Sequence, residues 1–148
     1  MRISSKGRYA LASVVSMAQQ YHNRDYITII SISEELGISK IYLEQVFSLL
    51  KKSGIVRSAK GSQGGYQLAL PPNGIKVLDV MLAVEISLFE PTQNTVLEKA
   101  PELEKALRFS TFGPLEENIN QTLSGISIAD IVLETENQKR QNAIMFYI

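Results

Sequence analysis

The sequence predicts a mainly α-helical protein with a small β-hairpin wing: a winged helix-turn-helix head followed by a C-terminal dimerisation helix. Three observations in the stretch from Thr28 to Leu70 predict it. Leu43, Val46, Phe47 and Leu50 recur at i, i+3, i+4 and i+7, which puts four large apolar side chains on one face of a helix within Ser39 to Lys52. Just before it, Gly37 suits the left-handed end of one helix and Ser39 the N-cap of the next, a helix-turn-helix junction. After Ser53-Gly54 the period changes, and Ile55 to Ser58 and Tyr66 to Leu70 read as two short strands joined by the basic, glycine-rich run Lys60 to Gly65. The side of the helix away from the stripe carries Ile41, Glu44, Gln45, Ser48 and Lys52, groups able to hydrogen-bond base edges. The Gly61-Ser-Gln-Gly-Gly65 run lacks the spacing of a phosphate-binding loop and sits inside a hairpin, which argues against nucleotide binding.

Taken in order, the chain opens with a helix expected from about Ser5 to Tyr21, striped by Leu11, Val14, Val15 and Ala18. Lys6 and Arg8 stand at its start, where cations oppose the helix dipole and a neighbouring anion such as DNA phosphate would be favourable. The β-branched stretch Tyr26 to Ser33 has strand propensity, but Ile29, Ile32 and Leu36 fit a helical face with Thr28 as cap, and a short helix over Ile29 to Leu36 is expected. Past the turn cluster Pro71 to Gly74, Val77, Val80, Met81 and Val84 form another helical face that closes the head. The expected organisation is a DNA-binding head over 1–85, a connecting loop over 86–101, dimerisation helices over 102–138 and a tail over 139–148. Gly113-Pro114 either opens a new helix or kinks one long one. Leu115, Ile119 and Leu123 beyond it form a thin stripe that cannot make a core alone, so a homodimer interface is expected there. Ser127 caps a last helix expected to end near Gln138, leaving the apolar ending Ile144 to Ile148 at a chain end.

Composition removes whole classes of chemistry. The chain has no cysteine and a single histidine, His22, so thiol nucleophiles, disulfides and thiolate-bound metals are excluded and imidazole chemistry is poorly supplied. No catalytic residue, metal ligand or cofactor is expected, and no enzyme activity. No signal peptide or apolar run of membrane-spanning length is visible, so a cytoplasmic location is expected. The formal net charge of zero hides an asymmetry. Residues 1–75 hold nine basic against four acidic side chains, while 76–148 hold six against eleven, so a basic front faces an acidic back.

The blocks MRISSKGRYAL, GISKIYLEQVFSLLKKSGIVRSAKGSQGGYQLALPP and KVLDVMLAVE resemble the Rrf2 family of bacterial winged-helix transcription regulators over nearly the whole chain, most specifically in Tyr42-Leu43-Glu44-Gln45 and in Gly61, Gly64, Gly65 and Tyr66 of the wing. The resemblance implies homodimers on double-stranded DNA, with Ser39, Lys40, Ile41, Tyr42, Glu44 and Gln45 at the major groove. It implies Arg57, Lys60, Ser62 and Gln63 at the backbone or minor groove, with Arg2, Lys6 and Arg8 as further DNA contacts. Iron-sulfur members carry three cysteines in the segment matching Leu88 to Leu107, and this chain has none, which moves the likeness to the cluster-free, CymR-like cysteine-metabolism repressors. That branch implies control by complex formation with cysteine synthase, here through the tail residues Met145, Phe146, Tyr147 and Ile148. Two other readings stay open: a protein-interaction regulator of a biosynthetic enzyme, and a small-molecule-sensing transcription regulator.

Overall fold

The computed structural model describes residues 2–23, 25–59 and 64–147. Its helices are α1 (Ser5–Gln19), α2 (Ile29–Leu36), α3 (Lys40–Lys52), α4 (Val77–Val84), α5 (Pro101–Leu107), α6 (Gly113–Ser124) and α7 (Ile128–Phe146), with a hairpin of β1 (Val56–Ser58) and β2 (Tyr66–Leu68) between α3 and α4. The mainly helical winged-helix architecture expected from the sequence is the one observed.

Local chemistry explains the boundaries of the head. The Thr28 hydroxyl accepts from the Ser31 N–H and starts α2 as a helix, although its first residues are β-branched. Gly37 ends it in the left-handed conformation (φ 66°), and the Ser39 hydroxyl caps α3 two residues later. All four residues of the α3 stripe, Leu43, Val46, Phe47 and Leu50, are fully buried. Each contributes on the order of 1.5–3 kcal/mol by leaving water. They pack with Val14 and Met17 of α1, Ile32 of α2 and Val80 and Met81 of α4 in one core.

The hairpin is antiparallel, with Val56 opposite Leu68, Arg57 opposite Gln67 and Ser58 opposite Tyr66. Ile27 adds a third, single-residue rung: its N–H donates to Tyr66 O at 2.8 Å, and the Tyr66 N–H returns to Ile27 O at 2.7 Å. The strand propensity of Tyr26 to Ser33 is thus expressed at one residue before Thr28 turns the chain into a helix. Gly65 follows from the same contact. Its φ is 121°, and a Cβ there would stand 3.1 Å from the Ile27 carbonyl oxygen.

The rear half resolves one alternative left open by the sequence and departs from expectation in one place. First, α5 and α6 are joined by a π turn over Arg108–Phe112, in which the Gly113 N–H reaches Arg108 O, so Gly113-Pro114 sits within one long interrupted helix. Pro114 has no N–H to lose, and a side chain at Gly113 would press on Arg108 O at 3.0 Å. Second, α7 does not stop near Gln138 but runs to Phe146. The residues past Glu134 are polar but favour helix, and Glu134 with Gln138 (2.7 Å) and Glu136 with Lys139 (3.2 Å) pair along it. The tail from Lys139 to Phe146 therefore forms the last two turns or so of α7 and is not a separate strand of chain.

Candidate nucleic-acid interface

The reading face is built on the first two turns of α3. Because the opposite side of this helix is locked into the core, Ser39, Lys40, Glu44, Gln45 and Ser48 are exposed, and Ile41 among them is 72% exposed. An isoleucine left in water among polar neighbours suits apolar contact with a base methyl group. Glu44 is drawn to Lys40 by an exposed i, i+4 ion pair of 3.7 Å, too open to water to hold either side chain firmly.

Tyr42 is half-buried and turns toward α1, where the Tyr9 ring meets it edge to face at 5.2 Å. This contact, which helical periodicity did not disclose, ties the start of α1 to the start of α3. Arg8 is exposed there, its guanidinium donating to Ser5 Oγ at 3.1 Å, and Lys6 is half-buried beside it. Arg2 is exposed ahead of the helix. The Tyr9–Tyr42 contact thus brings the start of α1, which carries Lys6 and Arg8, next to the start of α3.

The wing is fixed to α3 by Tyr66, whose ring lies 4.8 Å from that of Phe47. On its outer edge Arg57 is exposed, with Nε donating to Gln67 Oε1 at 3.0 Å. Lys60, Ser62 and Gln63, the other expected wing contacts, lie outside the described residues.

The expected dimer stripe is not uniform. Leu115 is 56% exposed and Ile119 half-buried, while Leu123 leans on the head's own core. Phe109, on the π turn, is 86% exposed and was not anticipated. At the end of α7, Met145 is 74% exposed, and Phe146 and Tyr147 are almost wholly so. Ile148 lies outside the described residues.

The loop between head and rear helices is held by carboxylates. Glu104, 3% exposed, accepts from the Thr95 and Val96 N–H groups at 3.0 and 2.9 Å. Glu116 accepts from the Thr92 N–H and hydroxyl at 3.1 and 2.8 Å, and Arg108 donates to Thr92 O at 2.5 Å. The Thr92 hydroxyl, then its N–H, and then the Arg108 charge hold the Glu116 carboxyl below its usual range. No sequence motif announced this knot. A hollow of about 140 Å³ lies beside it, lined by Leu88, Phe89, Pro91 and Ile119 among others. It is well short of the roughly 300 Å³ at which ligand pockets begin.

Residues 3–134 match the model of the Rrf2 family, described as iron-dependent transcriptional regulator. The chain is 36% identical over 145 residues to the HTH-type transcriptional regulator IscR of Aliivibrio salmonicida, covering 96% of this chain and 85% of that protein. IscR of Erwinia tasmaniensis is 37% identical over 136 residues, with 92% and 81% covered. Among solved structures, T. potens IscR superposes with a TM-score of 0.73 at 30% identity, covering 93% of this chain and 90% of that one. CymR, the global cysteine regulator of B. subtilis, superposes with a TM-score of 0.72 at 26% identity, covering 90% and 98%. The iron of the family description does not fit this donor set. The chain has no thiolate, its one imidazole is exposed at His22, and among the described residues no three His, Cys, Asp or Glu side chains converge. Between Leu88 and Leu107 the one buried carboxylate, Glu104, is already committed to backbone N–H groups. Among the described residues no helix is long and apolar enough to cross a membrane.

Proposed function

Because the chain belongs to the Rrf2 family of transcription regulators, we propose that it acts as a homodimeric repressor of cysteine and sulfur-metabolism genes, reading DNA with the exposed face of α3. At the coarser level it is a DNA-binding transcription regulator and, like these relatives, not an enzyme. One observation carries the reading: the open, polar first two turns of α3, centred on exposed Ile41 and backed by a fully buried stripe. In it, Gln45 pairs with a base, Glu44 accepts from a cytosine amino group or repels wrong sites, and the α1 cations and Arg57 hold the phosphates. Two heads joined through the α5–α6 helix would meet half-sites about one helical turn, roughly 34 Å, apart.

The test uses a DNA site selected by the protein from a random pool. Gln45→Ala should lose about tenfold or more on that site and little on random DNA, since a bidentate base contact discriminates by ~1–3 kcal/mol. Arg57→Ala should weaken both alike and reduce the salt slope by about one. Equal losses on both DNAs for Gln45→Ala would overturn the assignment of α3.

The choice of genes rests on the resemblance to CymR, the global cysteine regulator of B. subtilis. In the same reading a cysteine synthase covers the exposed end of α7. Phe146→Asp should abolish co-elution with the synthase and leave DNA affinity of the free dimer unchanged; undiminished co-elution would reject this partner. Small-molecule sensing is less well supported: the hollow beside Ile119 is only about 140 Å³, and the larger one of about 590 Å³ between Glu90 and Asn94 and Arg108 is wide open to solvent.

A further inference from the structure

Glu85 ends α4, a carboxylate at the position that continues the spacing of Val77 and Met81, and is only 7% exposed, yet none of the roles above uses it. Its carboxylate reaches the start of α1, 81 positions earlier in the chain. Oε1 accepts from the Ser4 N–H at 2.8 Å and from the Ser4 hydroxyl as well. That hydroxyl in turn caps α1 by accepting from the Gly7 N–H at 3.2 Å. Gly7 is buried under the same side chain: a Cβ there would stand 2.6 Å from Glu85 Oε1 and 2.8 Å from its Cγ. A glycine inside a helix is less favourable than alanine, and here it opens the space the carboxylate occupies.

The charge pattern gives this contact a purpose. The first turn of α1 has no acidic residue, while Arg2, Lys6 and Arg8 crowd its positive end. Glu85 brings the missing negative charge from another element, on the buried side, leaving the outer side to the cations. It also stands where the chain leaves the head, its own carbonyl accepting from the Leu88 N–H at 3.2 Å.

We infer that Glu85 is a positioning residue for DNA-backbone binding, anchoring the start of α1 so that Arg2, Lys6 and Arg8 meet the phosphates as one fixed set. This rests on the reading of the α1 cations as phosphate contacts. Gly7 and Glu85 then act as a single device, because a methyl group at position 7 evicts the carboxylate.

The experiment measures affinity against salt on the selected DNA site for Glu85→Ala, Glu85→Gln, Gly7→Ala, the Gly7→Ala/Glu85→Ala pair and a triple Arg2→Ala/Lys6→Ala/Arg8→Ala variant. Glu85→Ala and Gly7→Ala should each lose about tenfold in affinity and flatten the salt slope by more than one phosphate's worth, and the pair should lose no more than either alone. Glu85→Gln should recover most of the slope, since its amide oxygen still accepts from Ser4. An unchanged slope in Glu85→Ala, or additive losses in the pair, would overturn the inference while the triple variant still lowers the slope. An unchanged slope in the triple variant would instead remove the phosphate reading of α1, and the inference with it.

Discussion

The head and the rear half of this chain are built on opposite terms. Among the described residues, every buried apolar side chain but Ile128 lies between Ala10 and Val84. Beyond Glu85 the chain holds itself by backbone hydrogen bonds and by the carboxylates of Glu104 and Glu116, and it leaves Leu103, Phe109, Leu115, Leu133 and the end of α7 in water. The head buries most of its apolar residues, leaving a few such as Ile30, Ile41 and Leu82 open, and offers mainly polar ones outward. The rear half satisfies its polar groups and offers apolar ones outward, the pattern of a surface completed by another molecule.

The largest effect should come from exchanging like for like across this divide. Phe47→Ala, in the core of the head, should cost about 3–5 kcal/mol and give a broad or lost thermal transition. Phe109→Ala, 86% exposed, should change the melting of a dilute sample by no more than about 0.5 kcal/mol and act instead on association. Comparable losses in the two variants by denaturant titration would erase the distinction. Next, Leu115→Glu should leave a folded head by circular dichroism but sediment as a monomer at concentrations where the parent sediments as a dimer; a dimeric variant would move the interface off α6.

Acid should act on the rear half before the head. The Ser127 N–H, then its hydroxyl, hold the Asp130 carboxyl below its usual range, as the Thr92 groups hold that of Glu116. A carboxylate depressed in the folded state contributes stability that is present above its unfolded pKa and is lost as pH falls through the folded one. Amide exchange should therefore show the Thr92 loop and the start of α7 opening as pH drops below the ordinary carboxylate range, and Asp130→Asn should remove the pH dependence at α7. Opening confined to α2 and α3 would contradict this. The smallest effect is a gain: Ser13 and Ser16 of α1 bury hydroxyls with no hydrogen-bond partner among the described residues, so Ser13→Ala should raise stability by up to about 1 kcal/mol in chemical denaturation.

What could be read from the sequence follows the same divide. The α3 stripe, the Thr28 and Ser39 caps and the Val77 to Val84 face were legible, because burial against a core imposes a period and caps need particular residue types. The exposed reading face was legible as the complement of the buried one. Less was visible behind Glu85. Sustained helix without a buried stripe hid the length of α7, and Leu123 continues the spacing of Leu115 and Ile119 while packing on the head. The Ser4–Glu85 contact joins residues too far apart for any spacing rule, though a glycine in the first turn of a helix was a sign that something lies close there.

The π turn at Arg108–Phe112 settles a matter of phase. In an uninterrupted α-helix, twelve steps of about 100° would place Leu115 roughly 120° around the axis from Leu103. Looping out one residue takes back about 100°, so that Leu103 and Leu107 ahead of the turn line up with Leu115 and Ile119 behind it. The turn thus behaves as an inserted residue whose rotation has been absorbed on the spot. A chain shortened by one residue within it could run as plain α-helix with Leu103, Leu107, Leu115 and Ile119 still in line, so the turn sets alignment rather than length.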